Sequence, residues 1–146
     1  MVNHWQLNLA ADKCQIISFS HRQVSLTYNY MVNEIPLIRV NDILDLGVRF
    51  THNLSFSPHI KEVCNKARRK ASIILNCFKS KNKTILFKAF ATFVRPLLDY
   101  CSNVWSPFRK SEIDLIESVQ KRFTKRLSGM ADLPDKKDLK YWGQNH

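Results

Sequence analysis

A chain of 146 residues, 45% of them hydrophobic, is long enough for one domain with a packed core. It contains no run of the roughly 18 apolar residues that span a membrane and no signal pattern at its start, so we expect an intracellular protein, in the nucleus or in the cytoplasm. Its four scattered cysteines include no C-x-x-C pair and indicate neither a zinc ribbon nor a disulfide framework.

The net charge of +11 lies entirely in the second part of the chain. Residues 1–60 hold four basic and four acidic residues, whereas residues 61–146 hold 19 basic and 8 acidic residues. Such a one-sided excess is the usual sign of a polyanionic partner, either nucleic acid or an acidic membrane surface. The alternative is a well-solvated helical surface without any partner.

The first part of the chain shows the period of two that is typical of strands. Residues 14–20 and the alternating stretch 24–30 predict two strands, and a turn at Asn33 leads to strands over residues 35–40 and 44–50. We predict three or four antiparallel strands, with a bulge or a close backbone approach at Gly47. Residues 1–12 are partly apolar but complete no element, which we interpret as the end of a longer protein.

From residue 55 the period changes to about 3.6, which predicts helices. Ser57 and Pro58 fit the N-cap and the first position of the first helix. Thr84 is expected to cap a second helix, which Pro96 breaks near Arg95. The aromatic residues expected in the core of the second helix are Phe87, Phe90 and Phe93.

The stretch from residue 94 to residue 127 contains an aromatic joint at residues 105–107, which connects the second helix to a third one. Ser111 and Asp114 have the spacing of a capping box and predict a helix over residues 111–128. We expect Trp105, which precedes Ser106 and Pro107, to be a packed hinge rather than a base-stacking surface. The aromatic residues that lie among the basic ones, and that could stack on bases or sugars, are Trp105, Phe108, Tyr100, Tyr141 and Trp142.

The residue pattern carries no sign of catalysis. Turn formation explains Asp42 and Asp45, three residues apart, better than metal-assisted chemistry does. The three glycines form no phosphate-binding loop, and the five histidines lack the spacing of metal ligands. We therefore predict binding rather than chemistry, and no metal or cofactor for this chain.

Several longer strings resemble one protein family. They are WQLNLAADKCQIISFS at 5–20, LDLGVRFTHNLSFSPHI at 44–60, KARRKASIIL at 66–75, VRPLLDYCSNVWSP at 94–107 and IESVQKRFTKRL at 116–127. They resemble the C-terminal part of reverse transcriptases from non-long-terminal-repeat, LINE-type retrotransposons of the jockey-like kind. The resemblance covers nearly the whole chain in the right order.

This resemblance implies an α+β fold in which a small antiparallel sheet, the palm remnant with its primer-grip hairpin, precedes a basic helical bundle, the thumb. It implies the end of the palm at residues 1–54, a thumb-like bundle at 55–130 and a charged tail, with one short helix at most, at 131–146. Leu46, Gly47 and Val48 match the primer grip. Asn8 and Lys13 match a lysine motif, in which Lys13 would lie near the phosphates of the incoming nucleotide.

The catalytic aspartates of the family are absent from this sequence, so the Mg²⁺ ions of the full-length enzyme cannot be held, and we predict no polymerase activity for this chain. We expect a fragment whose upstream palm and fingers are missing and which binds RNA–DNA or similar duplexes without sequence preference; it has no membrane partner, and its oligomeric state is open. From the positions of the basic residues on the helices, we predict that nucleic acid is bound by Lys66, Arg69, Lys70, Lys121, Arg122 and Lys125. The alternatives are a co-opted helical protein-interaction module and a non-functional pseudogene product.

Overall fold

The computed structural model describes residues 10–20, 28–78 and 82–127. These residues form a mixed α+β structure of small sheets and helices, as predicted. They belong to two compact units that divide between Phe56 and Ser57, and each unit is described by itself.

Among its described residues, the first unit contains three two-stranded ladders. After a 3₁₀ turn at Ala11–Lys13, the strands described are β1 (Gln15–Ile17), β2 (Met31–Val32), β3 (Ile35–Pro36), β4 (Ile38–Val40), β5 (Asp42–Asp45) and β6 (Val48–Thr51). The β2–β3 and β5–β6 pairs are antiparallel, but β1 and β4 pair in parallel.

The prediction of an all-antiparallel arrangement is therefore wrong for β1 and β4. Residues 18–37 connect these two strands and contain the β2–β3 hairpin. A connection of that length lets a strand return in its original direction, which a tight turn does not. Of the stretch 24–30, predicted to be a strand, only residues 28–30 are described, and they lie outside any strand.

The β5–β6 hairpin closes through a two-residue turn. Leu46 and Gly47 have φ angles of 45° and 81°, and Asp45 pairs with Val48 on either side of them. Positive φ at both central positions is the signature of a type I′ turn. The predicted bulge at Gly47 is wrong, because the alternation over 44–50 runs through a turn into a second strand. Asn33, with φ of 50°, begins the corresponding turn between β2 and β3, as predicted.

The second unit is helical. Its helices are α1 (Ser57–Cys77), α2 (Lys83–Phe93), α3 (Arg95–Asp99), α4 (Ser102–Trp105) and α5 (Lys110–Arg126). The buried apolar side chains of this unit include Ile60, Cys64, Ala67 and Ile74 of α1, Leu86 and Phe90 of α2, Leu98 of α3, Trp105 of α4, and Ile116, Val119 and Phe123 of α5. α1 packs against α2, α3 and α5, and the rings of Phe90 and Phe123 meet with centroids 4.5 Å apart.

α2 begins with a different cap from the predicted one and ends where predicted. Oδ1 of Asn82 accepts from the backbone N–H groups of Thr84 at 3.0 Å and Ile85 at 3.4 Å, so Asn82 is the N-cap. Thr84 therefore lies inside the first turn. α2 ends at Phe93 and α3 begins at Arg95 with a proline in its first turn, which confirms the break at Pro96.

α5 starts earlier than the capping-box spacing predicts. The carbonyl of Arg109 accepts from the backbone N–H groups of Glu112 at 2.9 Å and Ile113 at 3.1 Å. Ser111 thus lies within the first helical turn rather than at the cap, and the capping box with Asp114 is wrong. Glu112 in this turn instead accepts a hydrogen bond from the hydroxyl of Ser57, which joins the beginnings of α5 and α1.

The three phenylalanines of α2 do not share the core. Phe90 is buried, whereas Phe87 and Phe93 are 42% and 54% exposed. At 3.6 residues per turn, residues spaced by three lie about 60° apart around the helix. Phe87 and Phe93 consequently lie on either side of the buried stripe, and the prediction that all three are core residues is wrong.

Candidate nucleic-acid interface

The six residues predicted to bind nucleic acid all lie on α1 or α5, and all are exposed. Those on α1 are Lys66, Arg69 and Lys70, and those on α5 are Lys121, Arg122 and Lys125. Nζ of Lys66 lies 2.8 Å from Oε1 of Glu62, one helical turn earlier. An exposed pair of this kind contributes at most about 0.5 kcal/mol, so Lys66 can exchange the carboxylate for another anion.

α1 and α5 together line a cleft of about 280 Å³. Two arginines from each helix line it, namely Arg68 and Arg69 of α1 and Arg122 and Arg126 of α5. We call this the arginine cleft. Two of the predicted residues, Arg69 and Arg122, are brought together here.

Four of the predicted residues do not line the arginine cleft: Lys66, Lys70, Lys121 and Lys125. Two arginines that line it were not predicted, Arg68 and Arg126. Arg68, Ser72 and Leu75 follow one another at steps of four and three, which puts them on one helical face, and Arg126 follows Arg122 by four. This spacing could have pointed to Arg68 and Arg126 in the sequence, but it does not show which face of α1 packs against which face of α5.

The floor of the arginine cleft is apolar. Val119 and Phe123 of α5 and Ala71 of α1 are buried beneath it, and Leu75 is partly exposed at its side. The methylene stems of arginine can cover such a floor while the guanidinium groups stay in water. The cleft therefore presents charge at its rim and apolar surface at its base.

Arg68 is the arginine that the fold positions most firmly. Its Nη2 donates to Oγ of Ser118 on α5 at 2.9 Å, and its Nη1 lies 3.4 Å from Oδ1 of Asn65. The hydroxyl of Ser118 in turn donates to the carbonyl of Leu115 at 2.6 Å. Nε of Arg68 is buried and has no hydrogen-bond acceptor among the described residues. The guanidinium is thus oriented between the two helices through its two terminal nitrogens.

Among residues 57–78 and 82–127, the charge that lines the arginine cleft is of one sign. No carboxylate in these ranges lines it, and none of the four guanidinium groups forms an ion pair there. The charge of Arg68 reaches one further group: burial raises the pKa of the Cys64 thiol, and the nearby guanidinium of Arg68 offsets part of that increase.

The aromatic residues in and around the joint differ in their exposure to solvent. Trp105 is 2% exposed, its Nε1 donates to the carbonyl of Tyr100 at 2.9 Å, and its ring packs edge-on against His59 with centroids 5.5 Å apart. The packed-hinge prediction is confirmed, and Trp105 offers no face for stacking. Phe108 is 83% exposed, with the guanidinium of Arg109 at 5.5 Å from its centroid, and Tyr100 is also exposed. Tyr141 and Trp142 lie outside the described residues.

The candidate residues of the first unit are at a loop tip and a strand end. Leu46 at the tip of the β5–β6 hairpin is 82% exposed, whereas Val48 at the start of β6 is 3% exposed. Gly47 is exposed, as is Lys13 at the end of the 3₁₀ turn. Asn8 lies outside the described residues.

Neither a metal site nor a membrane span is found in the described part of the chain. No three histidine, cysteine, aspartate or glutamate side chains there are grouped so that they could hold a metal ion. None of the helices there combines the length and the apolar character that crossing a membrane requires.

Known proteins resemble this chain at low identity. It is 34% identical over 87 residues to an uncharacterised protein of Caenorhabditis elegans, covering 60% of this chain and 44% of that protein. Over 130 residues it is 25% identical to the RNA-directed DNA polymerase from mobile element jockey of Drosophila melanogaster. Over 128 residues it is 21% identical to the probable RNA-directed DNA polymerase from transposon X-element of the same species.

Each of the two polymerase alignments covers 86% of this chain and 14% of the polymerase, so the chain spans less than half the length of every relative named here. No family model matches the chain, and no solved structure does. The polymerase similarities extend over most of the chain, although their identity is low. They support a distant relationship between this chain and the reverse transcriptases of retrotransposons.

Proposed function

We propose that this chain binds template–primer nucleic acid, an RNA–DNA or similar duplex, without sequence preference. The observation that carries the proposal is the arginine cleft, in which two helices place four guanidinium groups around one opening that no carboxylate of the described residues lines. Arginine forks match the geometry of phosphate oxygens, and phosphates are the groups that every nucleic-acid sequence shares. Relatedness to RNA-directed DNA polymerases, which must hold such a duplex, agrees with this chemistry.

The assignment of the two units to parts of a reverse transcriptase follows the resemblance found in the sequence. In this proposal the first unit is the end of a reverse transcriptase palm, with Leu46, Gly47 and Val48 as its primer grip, and the helical unit is the thumb. The β5–β6 hairpin supports the first part, because its two-residue tip displays Leu46 to solvent. Lys13 is the candidate for contact with the phosphates of an incoming nucleotide, and its exposure leaves it accessible.

The remaining predicted residues extend the interface beyond the arginine cleft. Lys70 and Lys125 are exposed on the same two helices. Flexible ammonium groups beside the arginine cleft can follow a phosphate backbone without fixing its register. This arrangement favours affinity without sequence readout, because base edges are not required for any of these contacts.

A charge-reversal experiment tests the proposal. Fluorescence anisotropy would compare the wild-type chain, the double variant Arg69→Glu/Arg122→Glu, and Lys88→Glu as a control from the exposed surface of α2. We expect RNA–DNA hybrids of two unrelated sequences to bind the wild type within about threefold of each other, and the double variant at least about 100-fold more weakly. Equal binding by the wild type and the double variant would refute the proposal.

A protein-interaction module is the second candidate, because the helical unit also exposes apolar side chains around the joint. These include Phe93, Tyr100, Val104 and Phe108. The same charge-reversal variant separates the two candidates, since an apolar protein contact should survive it and a phosphate contact should not.

A further inference from the structure

We infer that the arginine cleft is a discrete phosphate-binding site, preset by the Arg68–Ser118 hydrogen bond, and that it seats one phosphodiester group of a nucleic-acid strand. The phosphate chemistry follows from the cleft itself, whereas the strand as the source of the phosphate rests on the proposed function.

The cleft concentrates positive charge. Four arginines line it, and no described carboxylate is paired with their guanidinium groups. Like charges held close together repel one another, which destabilises the folded chain when no anion is bound. A bound anion removes that repulsion, so its binding free energy appears as increased stability of the fold.

The fold orients Arg68 before any ligand binds. The bond to Ser118 fixes one guanidinium before any ligand arrives, so less conformational entropy is lost on binding. Two oxygens of one phosphate can accept from neighbouring arginine forks at the same time, whereas a chloride ion is a single acceptor atom.

The cleft is large enough for more than water. Its volume is about 280 Å³, whereas a cavity of roughly 10 to 15 Å³ on the same measure holds one water. The cleft therefore has room for a phosphate and for part of an attached sugar. The partly exposed Leu75 gives the carbon atoms of the sugar an apolar surface to pack against.

Inorganic pyrophosphate tests the phosphate site without any nucleic acid. Thermal unfolding of the full chain would be followed with added pyrophosphate and with sodium chloride at the same ionic strength. At pyrophosphate concentrations about tenfold above its Kd, we expect the Tm to rise by about 4 °C or more, and chloride to give less than half of that shift.

Matched variants assign the shift to the cleft. Arg69→Gln/Arg126→Gln removes two exposed cleft charges, and Lys88→Gln removes one exposed charge of α2. We expect the double variant to lose most of the pyrophosphate shift, while its Tm without anion is no lower than that of the wild type, because repulsion is relieved. Lys88→Gln should keep the full shift. An equal shift in both variants, or one that chloride reproduces, overturns the site.

The source of the phosphate is tested separately with an RNA–DNA hybrid. If a strand phosphate occupies the cleft, the double variant should reduce the slope of log Kd against log salt concentration by about 1 to 2, and Lys88→Gln should leave it unchanged. A lost pyrophosphate shift with an unchanged slope would overturn the strand assignment and leave duplex binding intact. A pyrophosphate shift in a wild type that binds no duplex would instead overturn the proposed function and support the phosphate site.

Discussion

Arg68 of α1 donates through Nη2 to Oγ of Ser118 of α5 at 2.9 Å, while the same hydroxyl donates to the carbonyl of Leu115 at 2.6 Å. One serine thus holds a guanidinium in place at the contact between two helices. The interaction ties helix packing to the electrostatics of the arginine cleft, because the orientation of Arg68 depends on the position of α5.

Replacing this serine tests the coupling. We expect Ser118→Ala to weaken pyrophosphate and duplex binding about threefold to tenfold, because a hydrogen bond to a charged group is worth about 1.5 to 3 kcal/mol and part of it is recovered from water. Isothermal titration with pyrophosphate measures the effect. Ser111→Ala, at an exposed serine of the same helix, is the control and should bind like the wild type. In Arg68→Gln the serine substitution should have little further effect, and two independent losses would contradict the coupling.

Trp105 should matter for stability rather than for binding. It is buried, and its Nε1–H is satisfied by the carbonyl of Tyr100. We expect Trp105→Ala to lower the free energy of unfolding by about 3 to 5 kcal/mol, and Trp105→Phe by less, since the ring volume is mostly kept. Urea denaturation measures both. Folded Trp105→Phe should bind duplex like the wild type, and a large loss of affinity without a loss of stability would indicate a stacking role instead.

We predict that the fold loses stability at high pH because the thiol of Cys64 is buried. Burial raises the pKa of its thiol above the ordinary value of 9.0, and Arg68 offsets this only in part. Because the folded pKa is higher than the unfolded one, this contribution to stability is complete below pH 9.0 and is lost as the pH rises through the folded pKa. Urea unfolding between pH 8 and pH 10 should show a steeper decline for the wild type than for Cys64→Ala.

Thiol alkylation provides an independent measurement of the same burial. Cys77 is exposed, whereas Cys64 is buried and its thiolate is disfavoured. Iodoacetamide at pH 8 should modify Cys77 at least about tenfold faster, as read by mass spectrometry of the peptides. Similar rates at the two positions in the folded chain would contradict the described packing around Cys64.

We expect one substitution in the β5–β6 turn to stabilise the fold. Leu46 has a φ angle of 45°, which is unfavourable for leucine and readily adopted by asparagine before glycine. We expect Leu46→Asn to raise the free energy of unfolding by roughly 1 kcal/mol, and Gly47→Val to lower it by at least as much, in urea titrations. If Leu46 belongs to a primer grip, the more stable Leu46→Asn chain should nevertheless bind a recessed template–primer less tightly than the wild type.

Sequence patterns predicted those features that depend on neighbouring residues. The change of period at residue 55, the break at Pro96 and the packed Trp105 were all visible in the sequence, because each rests on helical spacing or on local backbone chemistry. The turn at Leu46 was missed, since leucine at positive φ is uncommon and the alternation of apolar residues continued through it.

The features that depend on distant residues were not predictable in the same way. The parallel pairing of β1 with β4 joins segments separated by a hairpin, and the spacing of apolar residues within either strand does not indicate which strand it pairs with. The contribution of Arg68 and Arg126 to the cleft depends on how α1 and α5 are rotated against each other. Charge counting therefore predicted the two basic helices, but only two of the four arginines that line the cleft.

The most direct test of the account is the salt dependence of binding to an RNA–DNA hybrid, measured for the full chain between 50 and 300 mM salt at roughly constant pH. With one phosphate in the arginine cleft and one at each of the four predicted lysines outside it, Lys66, Lys70, Lys121 and Lys125, we predict a slope of log Kd against log salt concentration of about 4 or more for the wild type. The slope should fall clearly in Arg69→Glu/Arg122→Glu. A wild-type slope below about 1, or affinity that does not change with salt, would contradict the claim that this chain holds nucleic acid by its phosphates.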